Sequence, residues 1–251
     1  MEKKYPLVEA IFELRWGERS PGRFSFGKED TDVYYQKFAI QASLNKFIVV
    51  ETPNLDAPPI PYLVKFRYRK REGVWPCYQT GLGIFTINQI LDGYNRDQFL
   101  SDIEDGMKIF INSLSGHLGK VAETLKISLR YQNAFYENTE SDAIKKLENT
   151  LGIKIMFPEH YNARLGELNI LNMNFGITCN VPQKSTAQIS ISDAVIEGKP
   201  GLFVDTAVES RLTDIVDIKE GEHIIKTKVT EWLSSAYSFQ KINYEILMDS
   251  K

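Results

Sequence analysis

Apolar and polar residues alternate over the first well-patterned segment of the chain, so it reads as a strand. Val8, Ala10, Phe12 and Leu14 fall on one face, and Glu9, Ile11, Glu13 and Arg15 on the other. A polar loop follows over 17–32, then an apolar-polar region over 33–50. Residues 52–61 hold Pro53, Pro58, Pro59 and Pro61, which excludes an interior helix or central strand and predicts a connecting loop. A hairpin is predicted next, with strands over 62–69 and 74–79 and a turn at 70–73. Residues 81–89 read as a further strand. Asn95 or Asp97 then caps a long helix to about Leu114, with Phe99, Ile103, Met107, Phe110 and Leu114 at helical spacing.

The second half repeats this plan in outline. A strand is predicted over 126–136, a short linking helix over 138–151 stopping at Gly152, and strands over 167–180, 187–196 and 202–209. A second long helix spans 222–237 and presents Ile225, Val229, Trp232, Leu233 and Ala236. Gly81-Leu82 and Gly201-Leu202 each open a strand ahead of a long helix. The look-alike segments Leu14-Arg15-Trp16 and Leu129-Arg130-Tyr131 strengthen the parallel. The pattern predicts an α+β protein: an antiparallel sheet with two long amphipathic helices, in two pseudo-repeated halves, 1–137 and 138–251, sharing one core.

Bulk properties narrow the classes. A content of 43% hydrophobic and 25% charged residues excludes disordered and collagen-like chains. No apolar run reaches the ~18 residues of a membrane helix, and the N-terminus lacks the apolar core of a signal peptide. Cys77 and Cys179 stand far apart, which suits a reducing compartment and predicts a cytoplasmic protein. The net charge of −3 divides unevenly. Residues 1–75 carry 13 Lys+Arg against 10 Asp+Glu (+3), and the rest carry 17 against 23 (−6). That excludes nonspecific DNA coating and leaves room for a local basic site.

Two motifs carry a family resemblance: Pro6-Leu7-Val8-Glu9-Ala10 near the start and Leu129-Arg130-Tyr131-Gln132-Asn133 near the middle. In these the chain resembles a sporadically distributed bacterial family of uncharacterised proteins with Pro-x-x-Glu-Ala and Leu-Arg-Tyr-x-Asn motifs. The resemblance implies no activity. Its patchy distribution implies mobile or accessory genes, a setting in which phage defence is common.

Candidate chemistry is sparse. His117, His160 and His223 have no motif partner, and no Cys or His pair has zinc-ligand spacing. There is no phosphate loop or dinucleotide fingerprint, so no catalytic residue, metal or cofactor is assigned. Glu9 and Glu13 share a strand face about 13 Å apart, wider than the ~9.5 Å limit of an inverting glycosidase pair. With Arg15, Arg130, Asn133 and Asp205 they form either an ion-pair ladder that sets strand register or a polar pocket. Lys65, Arg67, Arg69, Lys70 and Arg71, interleaved with Phe66 and Tyr68, form either a charged sheet face or a nucleic-acid-binding hairpin.

The leading expectation is a noncatalytic binding or regulatory subunit working through protein contacts, with a protein partner or as a homo-oligomer, in a bacterial defence or accessory operon. A nucleic-acid-binding module using 65–71 is the alternative. A hydrolase or ligand sensor built on the Glu/Arg face comes third.

Overall fold

The computed structural model describes residues 7–26, 28–114, 118–136, 143–156, 172–196, 198–217 and 222–249. The first half runs β1 (Leu7–Arg15), β2 (Glu18–Ser20), β3 (Arg23–Phe24), α1 (Lys28–Leu44), β4 (Val49–Glu51), β5 (Val64–Arg69), β6 (Cys77–Gly81), β7 (Ile84–Ile90), α2 (Arg96–Ser113) and α3 (Leu118–Ala122). The second runs β8 (Lys126–Tyr136), α4 (Ala143–Leu151), β9 (Asn172–Cys179), β10 (Ser185–Ile196), β11 (Lys199–Arg211), α5 (Leu212–Ile215) and α6 (Glu222–Asp249).

Nine strands form one antiparallel sheet in the order β4-β5-β6-β7-β1-β8-β11-β10-β9, and β2 and β3 make a small ribbon. The chain is therefore α+β. In each half the strand before the long helix returns beside the first strand, β7 beside β1 and β11 beside β8. The two first strands pair with each other, with Phe12 opposite Leu129 and Leu14 opposite Ile127. The sheet crosses the boundary between the halves without a break.

Alternation decides which side of the sheet is covered. Ala10, Phe12 and Leu14 are fully buried in a cluster with Phe38 of α1, Phe110 of α2 and Trp232 of α6. Further along, Leu147 and Leu151 of α4 pack with Phe135 and Val204. The buried helical residues of both clusters lie on this one side. Rings fill its centre: Phe85 stacks on Phe110 at 5.6 Å, and Phe47 on Tyr78 at 4.0 Å. Helix α2 starts at Asn95, whose side chain accepts from the Gln98 amide at 3.0 Å. In α6, Ile225, Val229, Trp232, Leu233 and Ala236 make the buried stripe.

Several expectations change. Residues 33–50 contain most of a third long helix, α1. Helix α6 continues twelve residues past Tyr237, to Asp249. Gly81 does not open a strand: it ends β6, and Gly83, at φ +72°, makes the hairpin turn into β7. Gly201 instead lies within β11. The linking helix is described from Ala143 onward, and Gly152 at φ +67° follows its end, its amide donating to the Glu148 carbonyl at 2.9 Å. Residues 138–142 and 167–171 of the expected elements lie outside the described residues.

Gly81 is required for a reason of space. A Cβ there would sit 1.9 Å from the Leu63 carbonyl oxygen, a backbone atom that cannot swing aside. Gly93 has nothing within 4 Å, and only its positive φ resists a side chain. Gly81→Ala is expected to lower stability by about 3 kcal/mol or more, against about 1 kcal/mol for Gly93→Ala. Denaturant unfolding checks this. Equal losses would show that the backbone at Leu63 yields.

Candidate functional site

The polar set singled out in the sequence splits between the two sides of the sheet. Glu9, Glu13, Arg15, Arg130 and Asp205 stand on the side away from the helices. The Arg130 Nε donates to both Asp205 carboxylate oxygens, at 2.7 and 2.9 Å, and its Nη2 reaches Oδ2 as well. The pairing is diagonal, since Ala207 is the residue opposite Arg130. The Asp205 carboxylate holds the guanidinium pKa above its ordinary value, with burial opposing and Glu13 and Glu9 adding smaller attraction. Arg15 Nη2 donates to Glu13 Oε2 at 3.0 Å, two residues along the same strand face. Asn88 Nδ2 donates to Glu9 Oε1 at 2.7 Å, and Thr86 Oγ1 donates to Asn88 Oδ1 at 2.5 Å. Acids, bases and amides of β7, β1, β8 and β11 thus partner one another across the strands.

Asn133 does not join them. It lies three positions along from Arg130, and β8 pairs with β11 without a register break, so the two side chains leave opposite faces. Asn133 lies on the helix side with Tyr131 and Phe135.

The basic hairpin is also partnered. Glu51 of β4 takes Arg67 Nη1 at 3.1 Å and Arg69 Nε at 2.9 Å. Arg69 also donates to the Val74 carbonyl at 3.1 Å and lies 4.4 Å from the Trp75 ring centroid. Lys70 sits over the Phe47 ring at 5.1 Å. Register shifts between Val64 and Phe66, and Lys65 leaves the arginine row to lie over Tyr35 and Phe66 at 5.7 and 5.6 Å. Arg71 is exposed in the turn.

A cavity of about 510 Å³ opens on the helix side, between the second half of α6, the inner face of β8 and β11, and the loop between β7 and α2. Apolar Leu7, Leu91, Phe135 and Val204 line it together with polar groups the sequence did not single out, chiefly Tyr94, Tyr237 and Gln240. The Tyr94 and Tyr131 hydroxyls are 2.9 Å apart, and burial raises the pKa of both phenols. Tyr131 falls inside the Leu-Arg-Tyr motif, and Gln240 is the polar break in the apolar stripe of α6. Those were the signals available.

His117 and His160 lie outside the described residues, as does the side chain of His223. Both thiols are buried, and burial pushes Cys77 up to about 12 and raises Cys179. Neither is thereby favoured as a thiolate at neutral pH. Among the described residues no group of three or more His, Cys, Asp or Glu could hold a metal ion, and no helix is long and apolar enough to cross a membrane.

No protein-family model and no curated protein sequence matches the chain. Among solved structures it aligns with DynU16, a protein of the dynemicin biosynthetic locus, at 9% identity and a TM-score of 0.21 over 99% of this chain and 100% of that one. It also aligns with the di-domain ARO/CYC protein StfQ of the steffimycin pathway, at 10% identity and a TM-score of 0.23 over 72% of each chain. Likeness at this level carries neither fold nor function across.

Two predictions follow from the electrostatics. Arg130→Met strips Asp205 of its partner and leaves Glu9 and Glu13 nearby, so a loss of about 1–3 kcal/mol is expected at pH 7. Asp205→Asn combined with it should recover part of that loss, and a double variant no better than the single would refute the pairing as the cause. Asp102 of α2 is 5% exposed, and its Oδ2 has no hydrogen-bond partner among the described residues. Burial raises its pKa, with a hydrogen bond from Gln98 opposing. An acid whose folded pKa lies above its unfolded one binds its proton more tightly when folded, so stability falls as pH rises above ~4 through the folded pKa. Asp102→Asn should remove that fall. Its stability relative to the parent should be greatest at pH 7 and shrink toward pH 4 in melts across the range. A pH-independent difference would rule this out.

Proposed function

We propose that this chain is a noncatalytic binding or regulatory subunit that works through protein contacts. The observation that carries the reading is an apolar surface around the end of α1 and the edge strand β4. Ile40 and Leu44, one turn apart on α1, are 59% and 72% exposed, and Ile48 and Val50 beyond them are 67% and 52% exposed. Helix α1 is apolar on two sides: Tyr34, Phe38 and Ala42 enter the core, and Ile40 and Leu44 face outward. A cluster of large exposed apolar side chains beside a sheet edge is what a protein partner covers.

The charged side of the sheet supports the same reading by its internal pairing. Arg130 bonds to Asp205 across β8 and β11, and Asn88 to Glu9 across β7 and β1, as a ladder that fixes register would. The hairpin cations at 67 and 69 are likewise tied to Glu51, which makes the nucleic-acid reading the weaker one. The two halves, each a strand, a helix, an antiparallel run and a long helix, fit an internal duplication of one ancestral unit. The family resemblance would place such a subunit in a defence or accessory operon.

The test is affinity purification of the tagged chain from its native host with nuclease present. A protein in stoichiometric amount is expected with the parent chain and is lost with Ile40→Glu/Leu44→Glu, whose unfolding free energy should stay within about 0.5 kcal/mol of the parent for exposed positions. A partner retained by the double variant, or a chain that elutes alone, overturns the reading.

A further inference from the structure

We propose that the cavity beneath the second half of α6 is a binding site for a neutral small molecule with a flat apolar ring body and one amide- or hydroxyl-bearing edge. The inference does not depend on the protein-contact reading, because the cavity and the apolar surface of α1 share no residue.

Size comes first. At about 510 Å³ the cavity falls within the ~300–1,000 Å³ range of small-molecule sites, and its wall is mostly apolar. Its floor is the inner face of β8 and β11, two interior strands of the sheet. Phe135, Val204 and Thr206 are each 5% exposed or less.

The wall is aromatic. Tyr131 meets Tyr94 edge to face, with centroids 6.3 Å apart, and Tyr237 at 6.4 Å. The Arg96 guanidinium lies 4.3 Å from the Tyr237 ring centroid and holds that ring in place. Tyrosine rings offer large stiff surfaces to a planar ligand at little cost in side-chain freedom.

Polar groups are few and fixed. Gln240 Nε2 donates to the carbonyls of Leu129 and Thr206, at 3.0 and 2.8 Å. Both amide hydrogens are thereby engaged, and Oε1 remains the acceptor this side chain can offer the cavity. Among the described residues no hydrogen bond engages the Asn133 amide, which supplies both a donor and an acceptor. The Tyr94–Tyr131 pair shares one hydrogen bond between two neutral phenols, leaving one hydroxyl hydrogen for a ligand.

Charge settles the class. Lys241 and Glu245 are the charged lining residues, both exposed and 3.6 Å from each other, and the Arg96 guanidinium beside the wall is stacked on Tyr237 and paired with Asp97 at 3.4 Å. Among the described residues none of the three is placed as an unshared counter-ion in the interior. An ionised ligand would lose its hydration without a partner, so a neutral one is selected.

The probe is N-phenyl-1-naphthylamine, a neutral ring system with one N–H donor, titrated into the 251-residue chain and followed by its emission. Saturable binding with one site per chain is expected. Leu7→Trp, which fills the cavity from its rim, should abolish it while the melting transition persists. Tyr131→Phe and Asn133→Leu, which keep the shape, should each weaken it about threefold to tenfold, the value of one hydrogen bond. Leu44→Glu, on the distant apolar surface, should leave it unchanged. Unsaturable binding, binding unaltered by both Leu7→Trp and Asn133→Leu, or binding lost with Leu44→Glu would each overturn the proposal.

Discussion

The antiparallel pairing of β1 with β8 is the contact on which the rest of the molecule depends. Each half has only four or five sheet strands, with its first strand already bonded to its last. The β1–β8 ladder uses the remaining edges of those two first strands and turns two small sheets into one of nine. Small sheets bury little area per residue and leave exposed edges, so fusion helps on both counts. It also aligns two apolar faces. Phe12 and Leu14 continue into Leu129 and Ile127, and burying four such side chains is worth on the order of 1.5–3 kcal/mol each. The long helices can then share a single floor, and Ile103 and Met107 of α2 join Val229 and Leu233 of α6 in one buried cluster there.

Much of this was legible in the chain. Strand β1 showed its alternation in Val8, Ala10, Phe12 and Leu14, and α2 had a cap and a regular apolar stripe. The failures have identifiable causes. Helix α1 is apolar on two faces, so no single stripe stands out, and its outward Ile40 and Leu44 blur the period of Tyr34, Phe38 and Ala42. Helix α6 loses its pattern where Gln240 interrupts the stripe and Ile242 and Ile246 turn outward. Gly81-Leu82-Gly83 reads as the start of a strand when the pairing partner is unknown. The turn becomes evident only once Gly81 is set against Ile84.

The candidate site was legible in part. Alternation placed Glu9, Glu13 and Arg15 together, and the diagonal reach of Arg130 to Asp205 needed the order of β8 and β11. The grouping of Asn133 with Arg130 conflicted with the period of two, since an odd separation along a regular strand changes faces. The cavity was not legible at all. Tyr94, Tyr131, Tyr237 and Gln240 come from a loop, a strand and a helix, and no local spacing links them. Each alone reads as packing.

The two sides of the sheet therefore carry different kinds of polarity. Glu13, Thr86, Asn88 and Ser128 on the charged side are each at most 8% exposed, with no described helix packed over them. Hydrogen bonds of Glu13 with Arg15, of Thr86 with Asn88 and of Asn88 with Glu9 compensate for the hydration these groups lose. Most of the hydrogen-bonding capacity of these groups is thus taken up by one another. On the helix side, by contrast, Asn133 and the phenol pair sit in an apolar wall with hydrogen-bonding capacity unused. Groups already saturated by their own chain resist a ligand, and desolvated groups with a free valence favour one. By that criterion the polar groups under α6, more than the conspicuous charges on the other side, are the ones suited to the small ligand proposed above.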